Sequence, residues 1–183
     1  MIAAVQLGYA GEMAEPREVV EHFYRCFAAH DGPGMAACYT DDATFSDPVF
    51  KDLSGAEVGG MWKMLTGRSG DLVVELEGIT GPGNKDKADG ARDGEVHYIA
   101  HWTARYSFTA TKRKVVNRVT SNIFLRGDKF ARQRDDFDLS AWLAQALGPT
   151  ASLLGWTGLP ARLIRAQAQK GLSAYMKKAS TGA

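Results

Sequence analysis

From Asp71 to Asp138 apolar and polar residues alternate with a period of two, and that alternation decides most of what this chain can become. In the stretch Glu95 to Phe108 every second residue from Val96 to Phe108 is apolar or aromatic, while His97, His101, Thr103 and Arg105 fall between them. Successive side chains of a strand point to opposite faces, so this is a strand with one apolar face. Val115 to Arg126 and Lys129 to Asp138 read the same way, joined by Gly127-Asp128, a dipeptide suited to a two-residue hairpin turn. Leu72 to Ile79 is a fourth strand, set off by a loop from Thr80 to Gly94 rich in Gly, Lys and Asp. A meander of this kind must have its apolar face covered.

The cover comes from segments of helical period on either side. Pro16 to Ala29 places Val19, Val20, Phe23, Tyr24 and Phe27 on one stripe, with Pro16 at the first helical position. A short helix starts at Pro33 and runs through Met35 to Cys38. Thr44 to Ser46 reads as a short strand, which Pro48 confines to an edge or an end. Ser54 followed by Glu57 predicts a capped helix to about Leu65, in which Gly59-Gly60 either weakens the helix or lets another element approach closely. Leu139 to Leu147 is helical, with Asp138 as its N-cap, and Pro160 opens a last helix to about Lys178. The expected architecture is one α+β domain of residues 15–147, a curved sheet around an apolar small-molecule pocket, with a flexible leader at 1–14 and a basic amphipathic helical extension at 148–183.

Charge and composition narrow the function. The 183 residues carry a net charge of +1, so no global field recruits nucleic acid. The five cations after Asp138, from Arg162 to Lys178, meet no acid there, yet the apolar face of the last helix favours docking over membrane contact. Cys26 and Cys38 alone make no disulfide framework, which points to a reduced, cytoplasmic setting, and neither a secretory leader nor a membrane span is read from the sequence. His97 and His101 would stand about 13 Å apart on a strand, too far to share a metal. No Gly-rich phosphate loop or ligand cluster calls for a cofactor.

Two runs carry a resemblance. Tyr39 to Val49 (YTDDATFSDPV), with the helix order before it, resembles ketosteroid isomerase. Lys129 to Leu139 (KFARQRDDFDL) is similar to the last strand of SnoaL-like polyketide cyclases and of limonene epoxide hydrolase. All belong to the nuclear transport factor 2-like superfamily, and the resemblance, over roughly 16–147, implies a cone-shaped α+β fold, a deep pocket and homodimers. It also implies roles. Asp47 matches the general base of the isomerase, and Asp135 matches the acid or base of the cyclases and the hydrolase. The isomerase's oxyanion tyrosine falls on Phe23, with Tyr24 adjacent, and its second oxyanion group falls near Asn122. The hydrolase's Arg-x-Asp pair has no match in His101 to Arg105.

The candidate site is therefore Asp135 and Asp47 for proton transfer, with Asn122, Tyr24, Phe23, Trp62, Tyr98 and Trp102 for binding. Asp47 also suits a turn before Pro48, since Asp bonds its own downstream backbone. The expected function is a cofactor-independent isomerase, cyclase or hydratase/hydrolase acting on a polyketide-, steroid- or terpenoid-like molecule. The alternative is a binding or dimerisation module of the same fold without chemistry.

Overall fold

The computed structural model describes residues 15–68, 70–83, 91–148 and 158–181. The expected leader at 1–14 and part of the approach to the last helix lie outside the described residues.

The elements follow the sequence order: α1 (Pro16–Ala28), α2 (Gly32–Ala37), β1 (Tyr39–Ser46), β2 (Leu53–Ser54), α3 (Ala56–Arg68), β3 (Val73–Thr80), β4 (Glu95–Ser107), β5 (Lys114–Arg126), β6 (Lys129–Asp136), α4 (Leu139–Leu147) and α5 (Leu159–Ser180). The fold is mixed α+β with one curved, unclosed six-stranded sheet ordered β2-β1-β6-β5-β4-β3. β3, β4, β5 and β6 form the antiparallel meander, and β1 joins β6 in parallel. The concave face is the apolar one. Val20, Phe23 and Phe27 of α1, Met61 and Trp62 of α3, and Ile123, Leu125 and Phe130 of the sheet close into one core.

Three of the boundaries that differ from the sequence reading have a local reason. β1 begins at Tyr39 rather than Thr44, because Tyr39 already pairs with Phe130 of β6, and an irregularity in the ladder spans the polar Thr40 to Asp42 before Thr44 pairs with Arg132. Ser54 is not an N-cap but pairs with Thr44 in β2, although its backbone N–H still donates to Glu57 as a capping box requires. β6 stops at Asp136, because Asp138 caps α4 by accepting from the N–H groups of Ser140 and Ala141.

The outer face of the meander carries a buried ion pair. Arg132 on β6 reaches across β5 to Glu95 on β4, with its guanidinium 4.0 Å above the Phe124 ring. Burial alone would raise the Glu95 carboxyl; the hydrogen bonds from Arg132 and from the Arg92 N–H, with the charges of the two arginines, together outweigh it and hold the group below its usual range.

The last helix docks on the domain. A Cβ at Gly60 would collide with the Met176 sulfur, and one at Gly59 would lie 2.9 Å from the Ala36 side chain, so the glycine pair lets α5 and α2 approach α3. Leu172 is fully enclosed. Arg165 donates through Nε to the Pro48 carbonyl at 2.8 Å and ties α5 to the loop after β1. Ile164 joins Trp142, Leu143, Ala146 and Val115 in a second, smaller core. No helix among the described residues is long and apolar enough to cross a membrane.

Docking of α5 has a measurable energy. Leu172→Ala is expected to lower the stability by about 2–4 kcal/mol in urea unfolding, the usual range for a buried leucine. A loss below about 0.5 kcal/mol, the surface value, would mean that α5 is detached in solution.

Candidate functional site

Polar residues at inward positions of the sheet mark the site. On β5 the inward series Val115, Asn117, Val119, Ser121, Ile123 is apolar except at Asn117 and Ser121. On β6 the inward positions include Gln133 and Asp135. Ser121 stands directly opposite Asp135 in the β5–β6 ladder, so the two side chains meet as a cross-strand pair. Ser121 also pairs with Ala100 on β4, which brings Trp102, two residues on, into reach from the other side.

Every link converges on one carboxyl oxygen. Asp135 Oδ1 accepts from Ser121 Oγ at 2.6 Å and from Gln133 Nε2 at 2.8 Å. Ser121 Oγ in turn accepts from Trp102 Nε1 at 2.8 Å and from Tyr24 Oη at 3.0 Å. Gln133 Oε1 accepts from Tyr39 Oη at 2.5 Å, and Tyr39 Oη accepts from Trp62 Nε1 at 2.9 Å. An indole N–H can only donate, so the two tryptophans fix the direction of both chains toward Asp135. Oδ2 of Asp135 has no hydrogen bond among the described residues, and the residue lines the cavity. A proton carried by Asp135 therefore sits on Oδ2, at the cavity wall.

Asp47 repeats the arrangement with backbone donors. Its Oδ1 accepts from the N–H groups of Val49 at 2.6 Å and Phe50 at 2.5 Å, which closes the turn around Pro48. Its Oδ2 is likewise without a hydrogen bond among the described residues. The turn role and the cavity-lining position belong to the same side chain. Asp47 is half-buried and lines the cavity.

The cavity holds about 640 Å³ and its walls are mostly apolar. Phe27, Trp62, Trp102, Tyr106 and Phe137 stand around it, and α5 closes one side with Ile164 and Ala168. Burial pushes the Asp135 carboxyl up to about 7; its two hydrogen bonds pull the other way, and the charges of Asp47 and Asp136 add to the rise. Burial pushes Asp47 up to about 6, against the Phe50 and Val49 N–H groups and the more distant Lys51 and Arg165.

The expected residues divide into three groups. Asp135, Asp47, Trp62 and Trp102 line the cavity. Tyr24 lies behind it and reaches it through Ser121. Phe23, Tyr98 and Asn122 do not line it. Phe23 is central to the aromatic packing between α1 and the sheet, 5.5 Å from Trp62 and 5.0 Å from Phe130 by ring centroids. Tyr98 lies at the far end of β4 against Gly81. Asn122 is one residue out of phase with Ser121 and stands on the outer face, where His97 meets its Oδ1 at 3.2 Å. Ser121, Gln133, Tyr39 and Asn117 were absent from the expected site. For Ser121 and Asn117 the signal was present as a polar residue in an apolar alternation.

The raised carboxyl makes a stability prediction. A folded-state value above the unfolded one means that the unfolded chain gives up its proton first as pH rises. The contribution of Asp135 to stability is therefore full below about pH 4 and is lost as the pH climbs through about 7. Asp135→Asn keeps an acceptor for Ser121 and Gln133 but carries no charge. It is expected to be more stable than the parent at pH 8 and to lack the parent's decline between about pH 4 and 7, which should reach about 1.4 kcal/mol per pH unit for one proton and level off above about pH 7. Parallel urea midpoints for the two proteins at pH 5 and pH 8 would refute a raised Asp135.

Comparison with known proteins gives the same fold. A protein with a ketosteroid isomerase-like fold from Catenulispora acidiphila, solved in complex with trimethylamine, aligns over 72% of this chain and 94% of its own, with 15% identity and a TM-score of 0.58. A protein from Pseudomonas putida provisionally assigned as a polyketide cyclase aligns over 72% and 97%, with 19% identity and a TM-score of 0.55. An epoxide hydrolase of the LEH-like type from M. tuberculosis aligns over 81% and 96%, with 19% identity and a TM-score of 0.53. No curated protein matches the sequence. The model of the SnoaL-like domain matches residues 20–133, more than half of the chain, and the chain belongs to that family.

Proposed function

We propose that the protein is a cofactor-independent acid–base enzyme acting on an uncharged, largely apolar small molecule, with Asp47 and Asp135 as its proton-transfer groups. The observation that carries this reading is the pair of carboxyls on one cavity, each held through Oδ1 by two donors with Oδ2 left bare. Such an arrangement fixes the reacting oxygen without neutralising it.

Burial raises both carboxyls toward neutrality, Asp47 to about 6 and Asp135 to about 7, so near neutral pH one cavity can hold a carboxylate beside a carboxylic acid. In an isomerisation next to a carbonyl, a C–H bond breaks and its proton forms an O–H bond on Asp47 Oδ2. The electron pair moves onto the carbonyl oxygen. Where the ketone is β,γ-unsaturated this gives a dienolate; Asp135 Oδ2–H then gives its proton to the far (γ) carbon as the electron pair returns from oxygen and re-forms the carbonyl, and the two carboxyls reset by exchanging one proton with solvent. The same pair serves a cyclisation, where the enolate attacks a second carbonyl, or a hydrolysis, where the base activates water. The polyketide cyclase and epoxide hydrolase among the similar folds are consistent with this range of chemistry.

The test uses 1-tetralone as an apolar bicyclic ketone in D2O, with deuterium uptake at the carbon next to the carbonyl followed by NMR. The parent is expected to accelerate uptake, with a rate that rises as the pH climbs through about 6. Asp47→Asn is expected to slow it by roughly 10²–10⁴-fold, the usual worth of a positioned base, and Asp135→Asn to slow it less, since its proton goes to a far carbon that this ketone's enolate lacks. Saturable quenching of tryptophan fluorescence by the ketone, without uptake above the buffer rate, would favour the alternative of an apolar binding module.

A further inference from the structure

The cavity contains two neutral hydrogen-bond donors that the protein leaves unused, and they are neighbours. Tyr106 on β4 pairs with Val115 on β5, and Asn117 lies two residues along β5 on the same inward face. Both line the cavity. Trp142 Nε1 of α4 donates to Tyr106 Oη at 2.7 Å. Since the indole can only donate, the Tyr106 oxygen accepts, and its own proton is left over. No acceptor takes that proton among the described residues, and the Asn117 amide makes no hydrogen bond there either. The amide is nevertheless not sealed in a dry core, because no buried polar atom of this kind is left without a partner. Its unused capacity therefore faces the cavity space.

We propose that Tyr106 and Asn117 form a subsite for an acceptor oxygen, the carbonyl of an apolar ketone or ester, with Trp142 as the positioning residue that fixes the Tyr106 oxygen. Two donors side by side suit one oxygen with two lone pairs, and neither carries a charge that would demand a charged ligand. Burial, with the nearby Asp47 charge adding to it, raises the Tyr106 phenol, so the hydroxyl keeps its proton and acts as a donor throughout the working range. Asp47 lines the same cavity as the subsite, as a substrate with a reacting carbon beside its carbonyl requires. α4, which supplies Trp142, lies beyond the residues 20–133 that match the family. α4 thus completes the binding site of this particular chain. The subsite deepens the proposed function by naming its ligand class, and it rests on the cavity rather than on the acid–base step.

The test compares binding of 1-tetralone with binding of tetralin, the same bicycle without oxygen, by calorimetry on the full-length protein. The ratio of the two affinities is the readout. Tyr106→Phe and Asn117→Leu are each expected to lower the ketone-to-hydrocarbon ratio by about three- to tenfold, the worth of one neutral hydrogen bond, with tetralin affinity unchanged within about twofold. Trp142→Phe is expected to lower the ratio less and to reduce the downward shift of the bound carbonyl stretch in the infrared. An unchanged ratio in both Tyr106→Phe and Asn117→Leu overturns the proposal. Equal losses for both ligands overturn it too and assign the residues to packing, and so does failure of the parent to bind the ketone. Deuterium uptake in the Asp variants is a separate measurement, so either reading can fail while the other stands.

Discussion

The Ser121 hydroxyl has a single proton, and Trp102 and Tyr24 occupy both of its lone pairs, so that proton goes to Asp135. Much of the site follows from this constraint. A buried carboxyl among aromatic rings would otherwise rotate to find partners or be displaced toward solvent, because an unpaired polar group in a dry interior is costly. Here Oδ1 is taken twice over, and the carboxyl plane is fixed by the β5–β6 ladder that sets Ser121 opposite Asp135. The second chain, from Trp62 through Tyr39 and Gln133, joins α3, β1 and β6 to the same oxygen. Helix packing, strand register and the chemistry of one acid are in this way a single hydrogen-bonded unit.

The C-terminal helices belong to that unit as walls rather than as appendages. α4 brings Trp142 to Tyr106, and α5 brings Ile164 and Ala168 to the cavity and Arg165 to the Pro48 carbonyl beside Asp47. The loop that holds Asp47 is braced twice: internally by the Val49 and Phe50 N–H groups, and externally by Arg165. Gly60 is the local condition for this, since any side chain there would displace Met176 and with it the seat of α5.

How much of this the sequence discloses depends on the range of the interaction. The period of two located β4, β5 and β6, and the Asp138 cap located α4, because both are set by neighbours in the chain. Asp135 was legible because its phase relative to Ala131 and Gln133 places it inward. Asn122 was misplaced by the same logic applied to a borrowed alignment. It is out of phase with Val119, Ser121 in between, and Ile123, so its own strand put the amide on the outer face. The hydrogen-bond partners of Tyr39 and Tyr106 could not be assigned from the sequence. Tyr39 reaches Gln133 across 94 residues, and Tyr106 depends on an indole 36 residues away, and no local pattern encodes such meetings.

The two carboxyls also restrict what can enter. No lysine or arginine hydrogen-bonds to either of them among the described residues; each is held by neutral donors alone. Their raised values are the electrostatic consequence of burial in one cavity without a counter-charge at bonding distance. A cationic ligand would supply that charge, pull both values down and remove the proton that Asp135 must carry. An anionic ligand would push both up and remove the base. Only a neutral ligand preserves one carboxylate and one carboxylic acid near neutral pH. The same condition explains why the donors left open in the cavity, the Tyr106 hydroxyl and the Asn117 amide, are themselves uncharged. They can orient a neutral oxygen without disturbing the balance between the two acids.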